Sequence, residues 1–494
     1  MHETPANKAR YQESLKASGI SGLAQAIQII LKMANTKLVA ILLGPAGVGT
    51  IGLFQSGINL VSTISSLGIG NSAVRDIAKA NKEENPQEIS LTIFTLRRLV
   101  WISGLIGALF CLIAGSWLSQ LSFNSEEYAW SFRILGLMVL LNQISAGQMA
   151  LLQGLRRLRE LAYVSVIGSA AGLLIAGPIY WWFGISGIVP ALLLLSAVPV
   201  ISAYYFSSRI SLKKTSFSKV KFLHKAKPMV TLGVSTMLSG LVLILAMWLI
   251  RILVQRKFGL EALGQFQAGW GVTTIYLQLI FQAMGRDYYP KLSGMAGDHL
   301  AMNKQVNEQI HLSLLLGTPL LLFAIVAAPW IIKLLYSNGF NGAISQLQWL
   351  AFGTIFKLIS WPLGFILLAL RKSTAYFITE SSAAGFLTLL VSWFIDFVGM
   401  DGIGLAYAIH YVFYFLLVWI LARKFVVFRF DGRSKILLLT SILGCGLIFY
   451  IVYCLNELSM FLISVCISVG ISIIYFIKLN QLTGIFSLLW KRIR

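Results

Sequence analysis

The sequence predicts an all-α membrane protein of about fourteen transmembrane helices. Three observations carry that expectation: composition, the length of the uncharged stretches, and the side on which basic residues fall. Hydrophobic residues make up 57% of the 494-residue chain and charged residues 12%, about half the charge content of a soluble domain. Soluble cores stop growing beyond about 250–300 residues, so this much apolar surface has no soluble place to hide. Segments 185–206, 228–250 and 314–332 carry no charge. Each has about the 20 residues needed to cross a hydrocarbon layer of about 30 Å.

Taken in order, apolar spans fall at about 18–43, 47–74, 89–117, 129–153, 159–182, 186–208, 228–254, 262–285, 308–335, 344–370, 373–397, 402–422, 436–455 and 458–478. The first 17 residues are polar and the apolar segment after them lacks a small-residue cleavage site, so it is expected to remain as the first span. Connections after even-numbered spans are basic: Arg75, Lys79 and Lys82; Arg156, Arg157 and Arg159; Arg286, Lys291 and Lys304; Arg371 and Lys372; Arg423, Lys424, Arg429, Arg433 and Lys435. The richest is the middle one, with Arg209, Lys213, Lys214, Lys219, Lys221, Lys225 and Lys227. Odd-numbered connections are neutral or acidic (44–49, Glu126/Glu127, Asp396/Asp401, Glu457), Arg256/Lys257 being the weak exception. Basic loops stay on the cytoplasmic side during insertion, so the alternation predicts an even helix count with both termini cytoplasmic.

The net charge of +22 is therefore a topology signal. A nucleic-acid binder would concentrate its basic residues on one face or arm, and none is expected as a partner here. Cys111, Cys445, Cys454 and Cys466 all lie in apolar segments without metal-site spacing, and His410 reads as a lone packed histidine. The run Gly47-Val48-Gly49-Thr50-Ile51-Gly52 fits a dinucleotide pattern, but it joins two apolar spans, so its glycines are expected to make a tight external turn. There is no phosphate-binding Gly-x-x-x-x-Gly-Lys loop, no paired carboxylates and no nucleophile–base pair at usable spacing. No cofactor or metal is expected.

A duplication is legible. Gly52-Leu53-Phe54-Gln55-Ser56-Gly57 follows the first span, and Gly264-Gln265-Phe266-Gln267-Ala268-Gly269 follows the seventh. About twenty residues later the second helix of each set is expected to end in Arg-Asp, at Arg75-Asp76 and Arg286-Asp287. Two parallel six-helix repeats follow from this, related by an axis along the membrane normal. The expected organisation is an N-terminal segment 1–17, a first lobe 18–208, a basic linker 209–227, a second lobe 228–425, and a C-terminal part 426–494 with two added helices and a basic tail.

Ionisable groups at bilayer depth cost at least about 2.5–3.5 kcal/mol on insertion scales and so need a partner or a wet cavity. The deep ones are Lys32, Lys37, Arg251 and Lys357, against the single acid Glu380. Snorkelling is the alternative for Lys37 and Arg251, and a Lys357–Glu380 pair is the alternative for Lys357. Ser21, Gln25, Gln28, Lys32 and Asn35 fall on one face of the first span. Gln55, Asn59, Ser62 and Ser66 do so on the second, and Gln267, Thr274, Gln278 and Gln282 on the eighth. These stripes read either as interhelical hydrogen bonding or as the lining of one hydrated cationic cavity, which is the expectation adopted.

At Leu43-Gly44-Pro45-Ala46-Gly47-Val48-Gly49, followed by Phe54-Gln55, the chain resembles the Wzx-type oligosaccharide flippases of bacterial envelopes. These belong to the multidrug/oligosaccharidyl-lipid/polysaccharide (MOP) transporter superfamily. The segment Arg286-Asp287-Tyr288-Tyr289-Pro290-Lys291-Leu292 resembles a similar stretch of that family. The resemblance spans roughly residues 18–425. It implies two six-helix lobes around a cavity that opens alternately to each side of the bacterial inner membrane. It also implies a lipid-linked oligosaccharide substrate, an undecaprenyl-pyrophosphate-linked repeat unit of an O-antigen or polysaccharide pathway, with other glycan-assembly proteins as partners. Coupling to H+ or Na+ stays open. Many relatives have twelve helices, so the last two expected here are an addition. A cationic-drug antiporter should keep a carboxylate in its cavity, and a membrane glycosyltransferase or polymerase should carry catalytic acids on a sizeable external loop; both are the weaker readings. Arg75, Asp76, Arg286 and Asp287 are expected to form a cytoplasmic gate, or alternatively to end their helices and bind headgroups.

Overall fold

The computed structural model describes residues 5–83, 85–210, 219–455 and 458–483. Positions 5–23, 219, 239, 275–280, 282, 283, 286, 454, 455, 458 and 483 are described by backbone alone. The regular structure among the described residues is helical and contains no strand: α1 Pro5–Ser66, α2 Ile69–Lys82, α3 Pro86–Phe123, α4 Ala129–Gly154, α5 Leu158–Ala171, α6 Gly177–Phe183, α7 Ile188–Ser208, α8 Lys219–Gly294, α9 His299–Val326, α10 Ala328–Leu335, α11 Gly342–Ala369, α12 Ser373–Phe397, α13 Asp401–Val426, α14 Gly432–Tyr450 and α15 Leu458–Thr483. Ten of the helical runs among the described residues are long and apolar enough to cross a membrane, or eleven with one bent pair. The chain is a multi-pass membrane protein. Two of these runs, Ala24–Ser66 and Leu158–Ser208, have 43 and 51 residues, about twice the length of one crossing. A left-handed glycine breaks each of them, Gly44 and Gly184.

The loop expected over 44–49 shrinks to one residue. Gly44 takes φ 64° and ψ −171°, and the helix resumes at Pro45. Only glycine adopts that backbone without strain, and proline suits the first helical turn because its missing N–H would be unpaired there anyway. Gly47, Gly49 and Gly52 are helical, which corrects the expected glycine turn. Gly259 makes the same break in α8, with φ 82° and ψ −179°.

The second expected span is interrupted as well. Its helix stops at Ser66, Leu67 and Gly68 turn left-handed, and α2 begins at Ile69. Gly68 lies against the backbone of Gly233 in α8, so closely that a Cβ on either residue would collide with the other's main chain. Arg75 and Asp76 therefore sit inside α2, and Asp287 lies seven residues before the end of α8. Neither Arg-Asp pair ends its helix, contrary to expectation. Of the expected linker, 211–218 lies outside the described residues and 219–227 is already helical.

The chain divides into two compact units, Met1–Glu261 and Ala262–Arg494. The boundary falls just past Gly259, so the part of α8 before that break packs within the first unit. In the first unit Phe54 is 2% exposed and its ring lies 5.0–5.8 Å from those of Phe123, Tyr128 and Phe132. Three residues on, Gly57 faces the Phe132 ring of α4, where a Cβ would come within 3.1 Å. In the second unit Phe266 is 1% exposed, and Gly269, again three residues on, faces α11 at Gln346. The two similar hexapeptides are used alike: the phenylalanine is buried within its own unit, and the glycine admits a crossing helix.

The added helices α14 and α15 pack on α9. Asn307 donates to the carbonyl of Arg429 (3.0 Å) and accepts from Asp431 N (3.1 Å) and Ser434 Oγ (2.7 Å). His311 Nε2 lies 3.1 Å from Asp431 Oδ1 and 2.9 Å from Ser434 Oγ. Deeper, Thr318 donates to Ser441 (2.9 Å), which pairs with the Tyr475 hydroxyl (2.9 Å). Burial pushes the Asp431 carboxyl up, but hydrogen bonds from the Ser434 N–H, the Ser434 hydroxyl and His311 outweigh it and hold the group below the usual carboxylate range.

Candidate functional site

In the first unit Trp248, Arg251 and Gln255 fall on one face of α8 by their spacing of three and four. The chain is tied down around them. Gln255 Nε2 donates to the carbonyl of Phe123 (3.1 Å), and Arg256 Nη2 to that of Leu121 (3.0 Å). Helix α1 beyond Gly44 runs alongside, because Gly57 leaves room for the Trp248 indole, whose Nε1 a Cβ at 57 would meet at 3.6 Å.

Arg251 Nη1 donates to Ser56 Oγ (2.8 Å), and Ser56 Oγ in turn donates to the carbonyl of Gly52. The guanidinium's hydrogen-bond partner is thus a neutral hydroxyl. Arg251 Nε and Trp248 Nε1 are buried donors with no partner, and Gln255 Oε1 is a buried acceptor with none. A buried unsatisfied group costs about 1–3 kcal/mol, more when charged. Arg251 as a residue is half-buried, with its Nε shielded by its neighbours.

The polar stripe of α1 separates into two uses. Lys32 is exposed, while Gln25, Gln28 and Lys37 are half-buried. Asn35 turns against Gly172, where a Cβ would sit 2.9 Å from its Cγ, so this amide works in helix packing. Past Gly44, Gln55 and Asn59 are exposed, but the carbonyl of Ser62 accepts from Gln143 of α4 (2.7 Å). Gln267 is half-buried; the side chains of Gln278, Gln282 and Arg286 lie outside the described residues. Arg75 is exposed, Asp76 half-buried, and Asp287 exposed in an i,i+4 ion pair with Lys291 at 2.5 Å.

The second unit holds a different polar cluster. Lys357 of α11 lies over the rings of Phe281 (5.7 Å) and Tyr411 (5.4 Å). It also acts electrostatically on Glu380 of α12 and on Tyr407 and His410 of α13. Glu380 Oε1 accepts from the Tyr414 hydroxyl at 2.5 Å. His410, 7% exposed, stacks on Tyr414 with centroids 6.3 Å apart. Its ring hydrogen-bonds the backbone of Ala383, and its Nδ1 is buried without a partner. His410 is therefore packed as expected but not alone, and Lys357 lies within electrostatic reach of Glu380. Ser56, Trp248 and Tyr414 were not among the expected site residues. The three-and-four spacing of Trp248, Arg251 and Gln255 was a usable signal; nothing local marked Ser56 or Tyr414.

The chain is 24% identical over 423 residues to the lipid III flippases of Escherichia coli (strain K12) and Shigella flexneri, with 83% of this chain and 99% of theirs covered. Its fold is similar to the solved lipid II flippase MurJ in an inward closed conformation (TM-score 0.69, 15% identity, 93% of this chain and 98% of that one). An inward-facing multidrug resistance MATE transporter of the MOP superfamily is also similar (TM-score 0.65, 17% identity, 84% and 96% covered). Residues 38–345 match the polysaccharide biosynthesis protein family. With more than half its length matched, the chain belongs to that family and is a helical membrane transporter.

Proposed function

We propose that this protein is a flippase that moves undecaprenyl-pyrophosphate-linked oligosaccharide repeat units from the cytoplasmic to the outer leaflet of a bacterial inner membrane, by alternating access through a cationic cavity. The observation that carries the reading is Arg251: a half-buried guanidinium held by a hydroxyl, with its buried Nε and the Trp248 N–H unpartnered beside it. Such a donor set suits an oxyanion, because charge-assisted bonds to phosphate recover the cost of burying the cation. Glycan hydroxyls need neutral donors and acceptors; Gln25, Gln28, Gln55, Asn59, Gln267 and Gln278 supply them in this proposal. Lys32 and Lys37 supply further charge toward the pyrophosphate, and the prenyl tail stays in lipid. Arg75, Asp76, Arg286 and Asp287 remain the proposed gate, and both termini are proposed to be cytoplasmic. The similarity to lipid III flippases over 83% of the chain supports a lipid-linked glycan over a soluble one.

The test is glycan export in cells lacking the native protein and complemented with variants at equal membrane level. Lys32→Ala should abolish export and Arg251→Met should cut it about tenfold to 150-fold, and normal export from Arg251→Met would sink the reading. Efflux of cationic dyes by the wild type, without glycan export, would replace it with the antiporter.

A further inference from the structure

The first unit carries a pair of arginines that the proposed substrate chemistry does not use. Beyond Arg97 and Arg98, α3 has no charged residue up to its end at Phe123. That run is long enough to cross a hydrocarbon layer of about 30 Å, so the two arginines stand where α3 enters it, at headgroup depth. The start of α8 is docked on this stretch of α3. Met229, fully buried, packs in one cluster with Ile93, Leu96 and Val100, and Lys225 forms an ion pair with Glu88. The Arg98 guanidinium lies over two rings, Phe94 of its own helix (4.4 Å) and Phe222 of α8 (5.7 Å). Aromatic faces hold a guanidinium in place without using its N–H donors. Glu88 is the one carboxylate on α3, and Lys225 takes it. Among the described residues neither arginine has a hydrogen-bond acceptor, and Arg97 Nε is buried without a partner.

What lies along the helix beyond these donors names the ligand. Ile102, Leu105 and Leu109 follow Arg98 at steps of four, three and four, so they continue its face of α3. All three are exposed, at 49%, 48% and 55%, and Trp101 and Ile106 beside them are exposed as well. We propose that Arg97, Arg98 and this apolar stripe form a binding site for an anionic glycerophospholipid, the arginines taking its phosphate and the stripe its acyl chains. Arginine forks match phosphate oxygens, and basic residues at a membrane surface attract anionic lipids. A free phosphate would have no use for the stripe. A lipid-linked glycan would find no polar side chain for its hydroxyls among Trp101, Ile102, Leu105, Ile106 and Leu109. The site is therefore a place for a resident membrane lipid, and it rests on the membrane fold rather than on the flippase reading.

The test uses the full chain in detergent, with phosphatidylglycerol and phosphatidylcholine of the same acyl chains as probes and native mass spectrometry as the readout. The wild type should retain phosphatidylglycerol in preference to phosphatidylcholine. Arg97→Gln combined with Arg98→Gln should weaken that binding about fivefold for each arginine removed. Lys79→Gln combined with Lys82→Gln removes the same charge from the exposed end of α2 and should bind as the wild type does. Equal retention in the arginine variant would overturn the site, and so would an equal loss in the lysine variant, which would make the effect one of surface charge. Should the arginine variant fail to fold, Phe222→Leu keeps both charges, removes one ring and should still weaken binding; unchanged binding there overturns the site. Leu105→Ser with Leu109→Ser tests the stripe at constant charge, and undiminished retention would remove the acyl chains from the proposal. Two competitors separate the sources of phosphate. Inorganic phosphate should leave the lipid in place, and displacement by it would make this a free-phosphate site. Displacement by an equimolar prenyl pyrophosphate bearing N-acetylglucosamine would give the site to a lipid-linked glycan and overturn the resident lipid.

Discussion

Arg251 and Lys357 are both cations inside the membrane region, and the two units treat them in opposite ways. Arg251 has a hydroxyl for company, with its Nε shielded and unpartnered. Lys357 lies over two aromatic rings within electrostatic reach of Glu380, itself bonded to Tyr414. The difference is one of balance. A cation compensated inside the protein belongs to the fold. A cation left short of acceptors stores unfavourable energy that an external anion can relieve. Fold stability and transport should therefore respond with different signs at the two sites.

The largest effect is expected at the compensated pair. Lys357→Met and Glu380→Gln should each lower stability, by about 1–3 kcal/mol as the remaining group loses its electrostatic neighbour, whereas the double variant should recover part of the loss. Thermal unfolding of the purified protein checks this, and additive losses would break the comparison. At Arg251 the signs should part. Arg251→Met should cut export about tenfold to 150-fold, the equivalent of one charge-assisted hydrogen bond of about 1.5–3 kcal/mol, while leaving thermal stability equal or higher because an uncompensated buried charge is gone. A parallel loss of stability would show that Arg251 serves the fold.

Ser56→Ala should be milder, costing about 1–2 kcal/mol of stability as the guanidinium loses its hydroxyl, with a smaller drop in export than Arg251→Met. The smallest effect is expected at the clamp of α14, away from both cations. Asp431 is held below the usual carboxylate range in the folded chain. Its contribution is therefore full above its unfolded pKa of about 4 and is lost as pH falls through the lower folded value. Wild-type melting temperature should fall more steeply than that of Asp431→Asn on acidification below about pH 4. Parallel curves would remove Asp431 from the clamp, and export at neutral pH should be nearly unchanged in this variant.

The membrane class and the helical architecture were legible because lipid demands long uncharged segments whatever the packing. The burial of Phe54 and Phe266 was legible in the two Phe-Gln hexapeptides, where a large apolar residue is followed three positions later by a glycine that lets another helix approach. Local rules ran out at the turns. One glycine at 44 replaces a six-residue loop, and the break at Gly68 is set by the backbone of Gly233, 165 residues away. They ran out again at the stripes, where periodicity groups Asn35 with Lys32, but packing sends Asn35 against Gly172 and leaves Lys32 exposed. Sequence by itself determined that long helical segments must cross a membrane and where charges fall along them, because hydropathy is a property of each segment alone. Only the tertiary structure decided that Arg251 meets a hydroxyl while Lys357 meets an acid, because the partner of a buried charge lies on another helix, and helix spacing in the chain does not record which faces touch.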